Sequence, residues 1–143
     1  MRRVVFFSTA PRDLDQADLI SLFEIAAGNS RKHSITGLTI YHRRTFCHIR
    51  EGSPEEISQS MIRSERSEWH YNLSVVADNI VESRLFTDWF LSFGMNDAIK
   101  FPSSKQLIEI EKVLTYPDLS NALDDLVCRS FINAFLTDVS EQS

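Results

Sequence analysis

The chain has 143 residues, of which 43% are hydrophobic and 24% charged, with only 4 Gly and 4 Pro. This composition excludes a disordered chain and fits one compact domain with a core of its own. With 15 Lys and Arg against 20 Asp and Glu, the net charge of −5 disfavours non-specific attraction to nucleic acid or to acidic membranes.

Cysteine content and the length of apolar runs indicate the compartment. The two cysteines, Cys47 and Cys128, do not make a disulfide framework, and no apolar run approaches the ~18 residues that a membrane span needs. The apolar part of MRRVVFFSTA is too short for a signal peptide and is typical of a first strand. We therefore expect a cytoplasmic protein with no membrane anchor and no nucleic-acid partner.

A strand and a helix are predicted at the start of the chain. Val4 to Ser8 is β-branched and aromatic, as strands are, and Ala10 to Asp13 is typical of a turn. From Leu14 to Ala27, apolar residues recur at helical spacing. We expect Gly28-Asn29 to end this helix.

The next segment predicts a hairpin of two strands, Thr36 to His42 and Thr45 to Glu51, joined by a two-residue turn at Arg43-Arg44. Arg43-Arg44 is a poor turn of this kind, because neither residue readily takes a positive φ. Alternation along the strands defines one core face and one mixed face. The predicted pairs are Tyr41 with Phe46, Ile40 with Cys47, Thr39 with His48 and Leu38 with Ile49. The core face holds Leu38, Ile40, Cys47 and Ile49, and the mixed face holds Thr39, Tyr41, Phe46, His48 and Arg50.

The second half of the chain predicts a helix, two strands and two further helices. The helix is capped by Ser53, has Pro54 in its first turn and runs to about Ser64. The order β-α-β-β-α-β, with one added strand and two C-terminal helices, predicts an α+β fold of ferredoxin-like type. We place one domain at residues 1–96 and a helical extension packed on it at 97–143. The later elements are strands Leu73 to Ala77 and Arg84 to Phe93, and helices Ser103 to Leu114 and Leu119 to Leu136.

Motifs for metal binding and catalysis are missing from the sequence. Cys47 and His48 are adjacent, but their side chains point to opposite faces of a strand and cannot share one ion. The sequence has no phosphate loop, nucleophile elbow, C-x-x-C or H-E-x-x-H motif. We therefore expect neither a metal site nor enzymatic activity.

Five motifs follow one another between Val4 and about Gly94. They are the strand VVFFSTA, the strand ITGLTIY, F-x-H-x-x-EG from Phe46 to Gly52, HYN from His70 to Asn72, and R-x-F-x-x-W from Arg84 to Trp89. In their order and spacing they resemble the BLUF family, the flavin-binding blue-light sensor domains. The resemblance implies a pocket for FAD or FMN between the two helices. It also implies a short, stand-alone member that acts through a regulatory protein partner and forms homo-oligomers.

The same resemblance implies departures around the flavin. The family's switch pairs a tyrosine of strand one with a glutamine of strand three, and these positions hold Phe6 and His48. Phenylalanine has no transferable proton, so the usual photocycle is not expected. The family's ring-holding asparagine falls on Ser30 beside Asn29, its arginine on Trp69 with Ser67 and His70 nearby, and its methionine on Leu91. The candidate cofactor-binding residues are Phe6, Asn29, Ser30, Phe46, His48, Trp69, His70, Trp89 and Leu91.

These residues also have structural interpretations. His48 could bond Thr39 or a backbone carbonyl, and Asn29 and Ser30 could cap the first helix. Arg50 could reach solvent, pair with a glutamate or bind a phosphate. Phe6, Phe46 and Trp89 also fit a plain core. Two functions therefore stay open: a flavin sensor with an altered or lost photocycle, and a flavin-free protein-interaction module on the same scaffold.

The last predicted helix carries an apolar stripe. We expect most of it to pack on the sheet, leaving Phe131 or Phe135 as contacts for a partner. Substituting Phe135 with Asp would then leave the fold largely intact. The stripe comprises Leu119, Leu123, Leu126, Val127, Ser130, Phe131, Ala134 and Phe135.

Overall fold

The computed structural model describes residues 1–94 and 104–142, with side chains as far as Asp138. The predicted boundary between residues 96 and 97 and the predicted helix start at Ser103 lie outside the described residues. Short 3-10 helices cover Ile110–Thr115 and Pro117–Leu119. The strands are β1 (Arg2–Thr9), β2 (Thr36–His42), β3 (Thr45–Gly52), β4 (Tyr71–Ile80), β5 (Trp89–Gly94) and β6 (Leu107–Glu109). The α-helices are α1 (Gln16–Lys32), α2 (Pro54–Glu65), α3 (Ser120–Asp124) and α4 (Leu126–Gln142).

The described strands form one sheet in the order β4-β1-β3-β2-β5-β6. β1 pairs antiparallel with β3 and with β4, and β2 pairs antiparallel with β3. β5 pairs in parallel with β2 and with β6. The α+β, ferredoxin-like fold predicted from the sequence is confirmed. None of the helices in the described part of the chain is both long and apolar enough to span a membrane.

Both faces of the sheet are covered, because successive strand residues point to opposite sides. We call the face under α1 and α2 the cleft face and the opposite one the tail face. On the cleft face, Val4 and Phe6 pack with Ile57 of α2, and Trp89 and Leu91 pack with Ala27 of α1. On the tail face, the core of Val5, Leu38, Ile40, Cys47 and Ile49 packs with Val113, Leu119, Cys128, Ile132 and Phe135.

The hairpin has the predicted register. All four predicted pairs are present, from Leu38 with Ile49 to Tyr41 with Phe46. Arg43 and Arg44 form the two-residue turn with φ of 44° and 67°, although arginine rarely adopts such values. Arg44 is held there by contacts outside the hairpin, since its carbonyl accepts from the Ala10 N–H at 2.7 Å and its Nε donates to the Ala10 carbonyl at 3.0 Å.

Glu51 fastens the loop between β4 and β5 to the sheet. Its carboxylate is fully buried and accepts from the backbone N–H groups of Leu85 and Phe86, from the Thr36 hydroxyl and from Arg3 Nε. These bonds hold residues 84–88 in an irregular conformation, so the predicted strand from Arg84 begins only at Trp89. The predicted strand from Leu73 to Ala77 is longer than expected and covers Tyr71–Ile80.

The first helix continues past the predicted stop. It starts with a capping box between Asp15 and Asp18 and runs to Lys32, with His33 as its C-cap. Gly28 costs a helix only about 1 kcal/mol, and Arg31 and Lys32 interact favourably with the negative end of the helix dipole. The interpretation of Asn29 and Ser30 as caps is therefore wrong, since both lie within the helix.

The C-terminal segment differs from the predicted pair of long helices. Within the helix predicted from Ser103 to Leu114, residues 107–114 instead belong to β6 and a 3-10 helix, because β5 offers an edge with which Leu107 and Ile108 pair. The helix predicted from Leu119 to Leu136 is interrupted at Asp125, whose extended backbone and side-chain bond to the Cys128 N–H begin α4.

Candidate functional site

A cleft opens between α1 and α2 with the cleft face of the sheet as its floor. It encloses about 760 Å³ of space not filled by atoms, its open mouth included. The cleft is lined by Leu22, Ile25, Ala26, Asn29 and Ser30 on the α1 side, by Ser60, Arg63, Ser64 and Ser67 on the α2 side, and by Ile35, Thr39, Phe46, His48, Arg50, Trp69, His70 and Trp89.

His48 lies in the floor of the cleft with both ring nitrogens engaged. Its Nδ1 is 3.1 Å from the Thr39 hydroxyl, and its Nε2 is 3.0 Å from the Ser8 hydroxyl. The Ser8 hydroxyl is also 2.7 Å from Nδ1 of His70. Because a neutral imidazole has one donor and one acceptor, these contacts use the full hydrogen-bonding capacity of His48. The predicted bond to Thr39 is confirmed.

Both histidines are neutral at pH 7. Burial lowers the pKa of His48 well below its usual value, and the charge of Arg50 and the neighbouring His70 lower it further. Burial and Arg50 lower the pKa of His70 to about 4. The charge of the cleft therefore comes from its arginines.

Phe6 lies under the floor of the cleft. Its ring stacks on His48 with centroids 4.3 Å apart and planes 17° from parallel. The side chain has no exposed surface and does not line the cleft, as the interpretation of Phe6 as core predicted. In place of a donor, it presents an aromatic ring to the imidazole.

Arg50 is directed into the cleft. Its Nη1 donates to the Ser60 carbonyl at 3.2 Å, and its guanidinium carbon lies 4.8 Å from the centroid of the Phe6 ring. The expected pairing of Arg50 with a glutamate is wrong, since none of the ion pairs among the described residues includes Arg50. Its side chain is half-buried and lines the open cleft.

The two helical walls of the cleft differ in chemistry. On α1, Leu22, Ile25 and Ala26 are apolar and follow helical spacing, with Asn29 and Ser30 one turn further on. On α2, Ser60, Arg63 and Ser64 follow the same spacing, so this wall carries hydroxyl groups and a guanidinium. The cleft thus offers an apolar wall opposite a polar one.

Seven of the nine candidate site residues line this cleft. Phe6 and Leu91 do not, since both are fully buried in the core. Sequence reasoning missed the polar wall and left Arg50 out of the candidate site residues, although it placed Arg50 on the same strand face as His48. The signal was present in the i, i+3, i+4 spacing of Ser60, Arg63 and Ser64. The seven residues are Asn29, Ser30, Phe46, His48, Trp69, His70 and Trp89.

Metal-ligating side chains are not grouped in the described part of the chain. No cluster of three or more His, Cys, Asp or Glu there is arranged to hold an ion. Cys47 lies on the tail face and His48 on the cleft face, as predicted.

The family described as sensors of blue light using FAD, BLUF, matches residues 1–92 of the chain. The match includes both helices and the strands that form the floor of the cleft. A search of curated proteins gives no match.

Several solved structures resemble this fold. BlrP1 of Klebsiella pneumoniae, in a complex with calcium and cyclic diGMP, has a TM-score of 0.71 at 15% identity over 96% of this chain and 34% of its own. A bacterial light-regulated adenylyl cyclase has a TM-score of 0.64 at 15% identity over 99% and 34%. The photo-activated state of BlsA has a TM-score of 0.62 at 17% identity over 94% of both chains. The chain thus spans about a third of the first two proteins and nearly all of BlsA.

Proposed function

Because this chain belongs to the BLUF family of sensors of blue light using FAD, we propose that it is a regulatory protein whose cleft binds a flavin without the family's tyrosine–glutamine photocycle. The pairing of Phe6 with His48 is the observation that carries this proposal. Phe6 stands where the resemblance puts the tyrosine, and it has no proton to transfer.

The chemistry of the cleft fits a flavin ring. Phe46 and Trp89 supply aromatic surface, while Asn29, Ser30 and Arg63 supply hydrogen-bonding groups from the two helices. A bound FAD or FMN would supply absorption of blue light. The side chains of the cleft would orient the ring and exclude water from it.

His48 would act on the ligand through its ring and not through its nitrogens. Both nitrogens are already bonded, to Ser8 and Thr39, and the Ser8 hydroxyl is bonded in turn to His70. A switch that exchanged hydrogen bonds between His48 and a ligand would have to break one of these buried bonds. This supports the loss of the usual light-driven rearrangement.

A second function, a flavin-free interaction module, is favoured by the same network. The histidines and hydroxyl groups of the floor satisfy one another, so these groups need no ligand as a hydrogen-bond partner. In this alternative the protein binds a partner protein without a flavin in the cleft.

In either form we propose that the protein works by binding and not by catalysis, in the cytoplasm, with a regulatory protein partner and as a homo-oligomer. Residues 1–96 would form the sensory domain and residues 97–143 the output extension. The packing of Cys128 and Ile132 on the tail face supports a route from cleft to extension through the sheet.

An absorption experiment tests the proposal. The purified protein is incubated with excess FAD, desalted and measured before and after blue light. We expect a retained flavin band that shows no reversible red shift. A reversible shift would refute the loss of the photocycle, and absence of the band would leave the interaction module.

A matched pair of variants shows whether retained flavin lies in the cleft. Ala26→Phe places a ring inside it and should abolish retention. Glu24→Phe adds the same ring at an exposed position of the same helix that does not line the cleft, and it should retain flavin.

A further inference from the structure

Two guanidinium groups face the same cleft without a carboxylate partner. Arg50 projects from β3 and Arg63 from α2, and both line the cleft. Among the described residues, no Asp or Glu lines the cleft and none forms an ion pair with either arginine. The cleft is therefore cationic in a chain whose net charge is −5.

The guanidinium of Arg50 makes few hydrogen bonds in place of those that it would make to water. Its hydrogen bonds go to Ser60, at 3.2 Å to the carbonyl and 3.4 Å to the hydroxyl, and its remaining contact is the Phe6 ring. Burial, with a further contribution from Arg63, lowers the pKa of Arg50 to about 10, which leaves it charged at pH 7. A half-buried charge without an opposite charge loses part of its hydration, and an anion at this place would offset that loss.

We propose that Arg50 and Arg63 form an anion site on the polar wall, so that the cleft selects flat aromatic ligands that carry a negative charge on the edge facing α2. The apolar row of Leu22, Ile25 and Ala26 receives the other edge. Ser60 and Ser64, beside Arg63, add hydroxyl groups to the same wall. The inference shares its cleft with the proposed function and specifies the class of ligand.

A pair of probes that differ in charge and hardly in shape tests the selection. 2-Naphthoate and 2-naphthamide are each titrated into the nitrogen-15-labelled protein and followed by NMR. The two tryptophans of the chain, Trp69 and Trp89, both line the cleft, so their two indole N–H signals report binding there. We expect naphthoate to shift both signals with an affinity about tenfold higher than naphthamide, because only its carboxylate forms charge-assisted hydrogen bonds with the guanidinium groups.

Three variants and one control variant show which arginines cause the preference for naphthoate. Arg50→Met and Arg63→Met keep the length and packing of the side chain and should each lose most of the tenfold preference. Arg50→Lys keeps the charge and should retain part of it, and it serves if Arg50→Met does not fold. Arg66→Met removes an exposed arginine at the end of α2 that does not line the cleft, and it should leave the preference unchanged.

The outcomes separate this inference from the proposed function. Equal affinities for the two probes, or no shift of the indole signals by naphthoate, would overturn the anion site even if FAD is retained. A charge preference that depends on Arg50 and Arg63 would support it even if no flavin band is retained.

Discussion

At the scale of single residues, the histidines and hydroxyl groups in the floor of the cleft form hydrogen bonds with one another. The hairpin register predicted that Thr39 faces His48, because directly opposed residues follow from alternation. The sequence did not predict that Ser8 bonds both His48 and His70, because β1 and the segment before β4 meet only in the folded sheet. Arg50 was left out of the candidate site residues for a similar reason, since its partner Ser60 lies on another element.

The buried histidines make stability depend on pH. The pKa of His70 is about 4 in the folded protein and near 6.5 in an unfolded chain, so between these values the unfolded chain binds more protons. The contribution of His70 to the free energy of unfolding should therefore be complete above pH 7 and should decrease as the pH falls toward 4. Urea unfolding at pH 7.5 and pH 5 should show a loss on the order of 1–2 kcal/mol from His70 alone.

His70→Asn is the matched variant, because asparagine keeps a hydrogen-bonding group for Ser8 and does not titrate. The loss between pH 7.5 and pH 5 should be smaller in this variant, with His48 accounting for part of what remains. An identical loss in both proteins would show that His70 does not carry the effect.

At the scale of elements, the sequence predicted the features that depend on residues close together in the chain. The caps of α1 and α2 and the pairing of β2 with β3 are short-range features, and the sequence predicted the start of α2 and the hairpin register. The segment that forms β6 had helical spacing, but its partner β5 is supplied by the tertiary fold. Tertiary pairing outweighed the local preference there.

Two glycines provide a matched test of the element boundaries. Gly37 has φ of 154°, and a Cβ at this position would lie 1.9 Å from the Ile49 carbonyl oxygen across the hairpin. Gly37→Ala should therefore lower the free energy of unfolding by more than about 2 kcal/mol, because backbone atoms must move.

Gly28→Ala should have the opposite effect. A Cβ at Gly28 meets no heavy atom within 4 Å, and α1 continues through this position, so alanine should raise the free energy of unfolding by about 0.5–1 kcal/mol. Both changes can be measured by urea unfolding. A loss of stability in Gly28→Ala would contradict a helix that continues to Lys32.

At the scale of the whole molecule, the sheet separates the cleft from the C-terminal segment. Half of the predicted stripe packs on the tail face: Leu119 and Phe135 belong to its core, and Leu123 and Phe131 pack against it. Leu126 and Val127 are exposed, whereas Phe135 is 5% exposed and belongs to the core. The break at Asp125 turns a different side of α4 toward the sheet, so the expectation that Phe135 tolerates Asp is wrong.

Truncation of Phe135 tests the contribution of this layer. Phe135→Ala should lower the free energy of unfolding by about 3–5 kcal/mol, as for other buried phenylalanines. Val127→Ala, at an exposed position of the same helix, should change it by less than about 0.5 kcal/mol. Similar effects of the two changes, measured by urea unfolding, would mean that α4 is not anchored through Phe135.

The strand order also determines how the chain can fold in time. β1 precedes β3 and β4 along the chain, yet it lies between them in the sheet, so Arg2 pairs with Gly52 on one side and Ile80 on the other. An emerging chain must keep an apolar strand unpaired until both partners have left the ribosome. Sheets whose strands pair across long stretches of sequence fold more slowly than helical bundles, in milliseconds to seconds. During that time they expose strands that are prone to aggregate. Successful production of this protein therefore depends on the rate of sheet closure as well as on the stability of the finished fold.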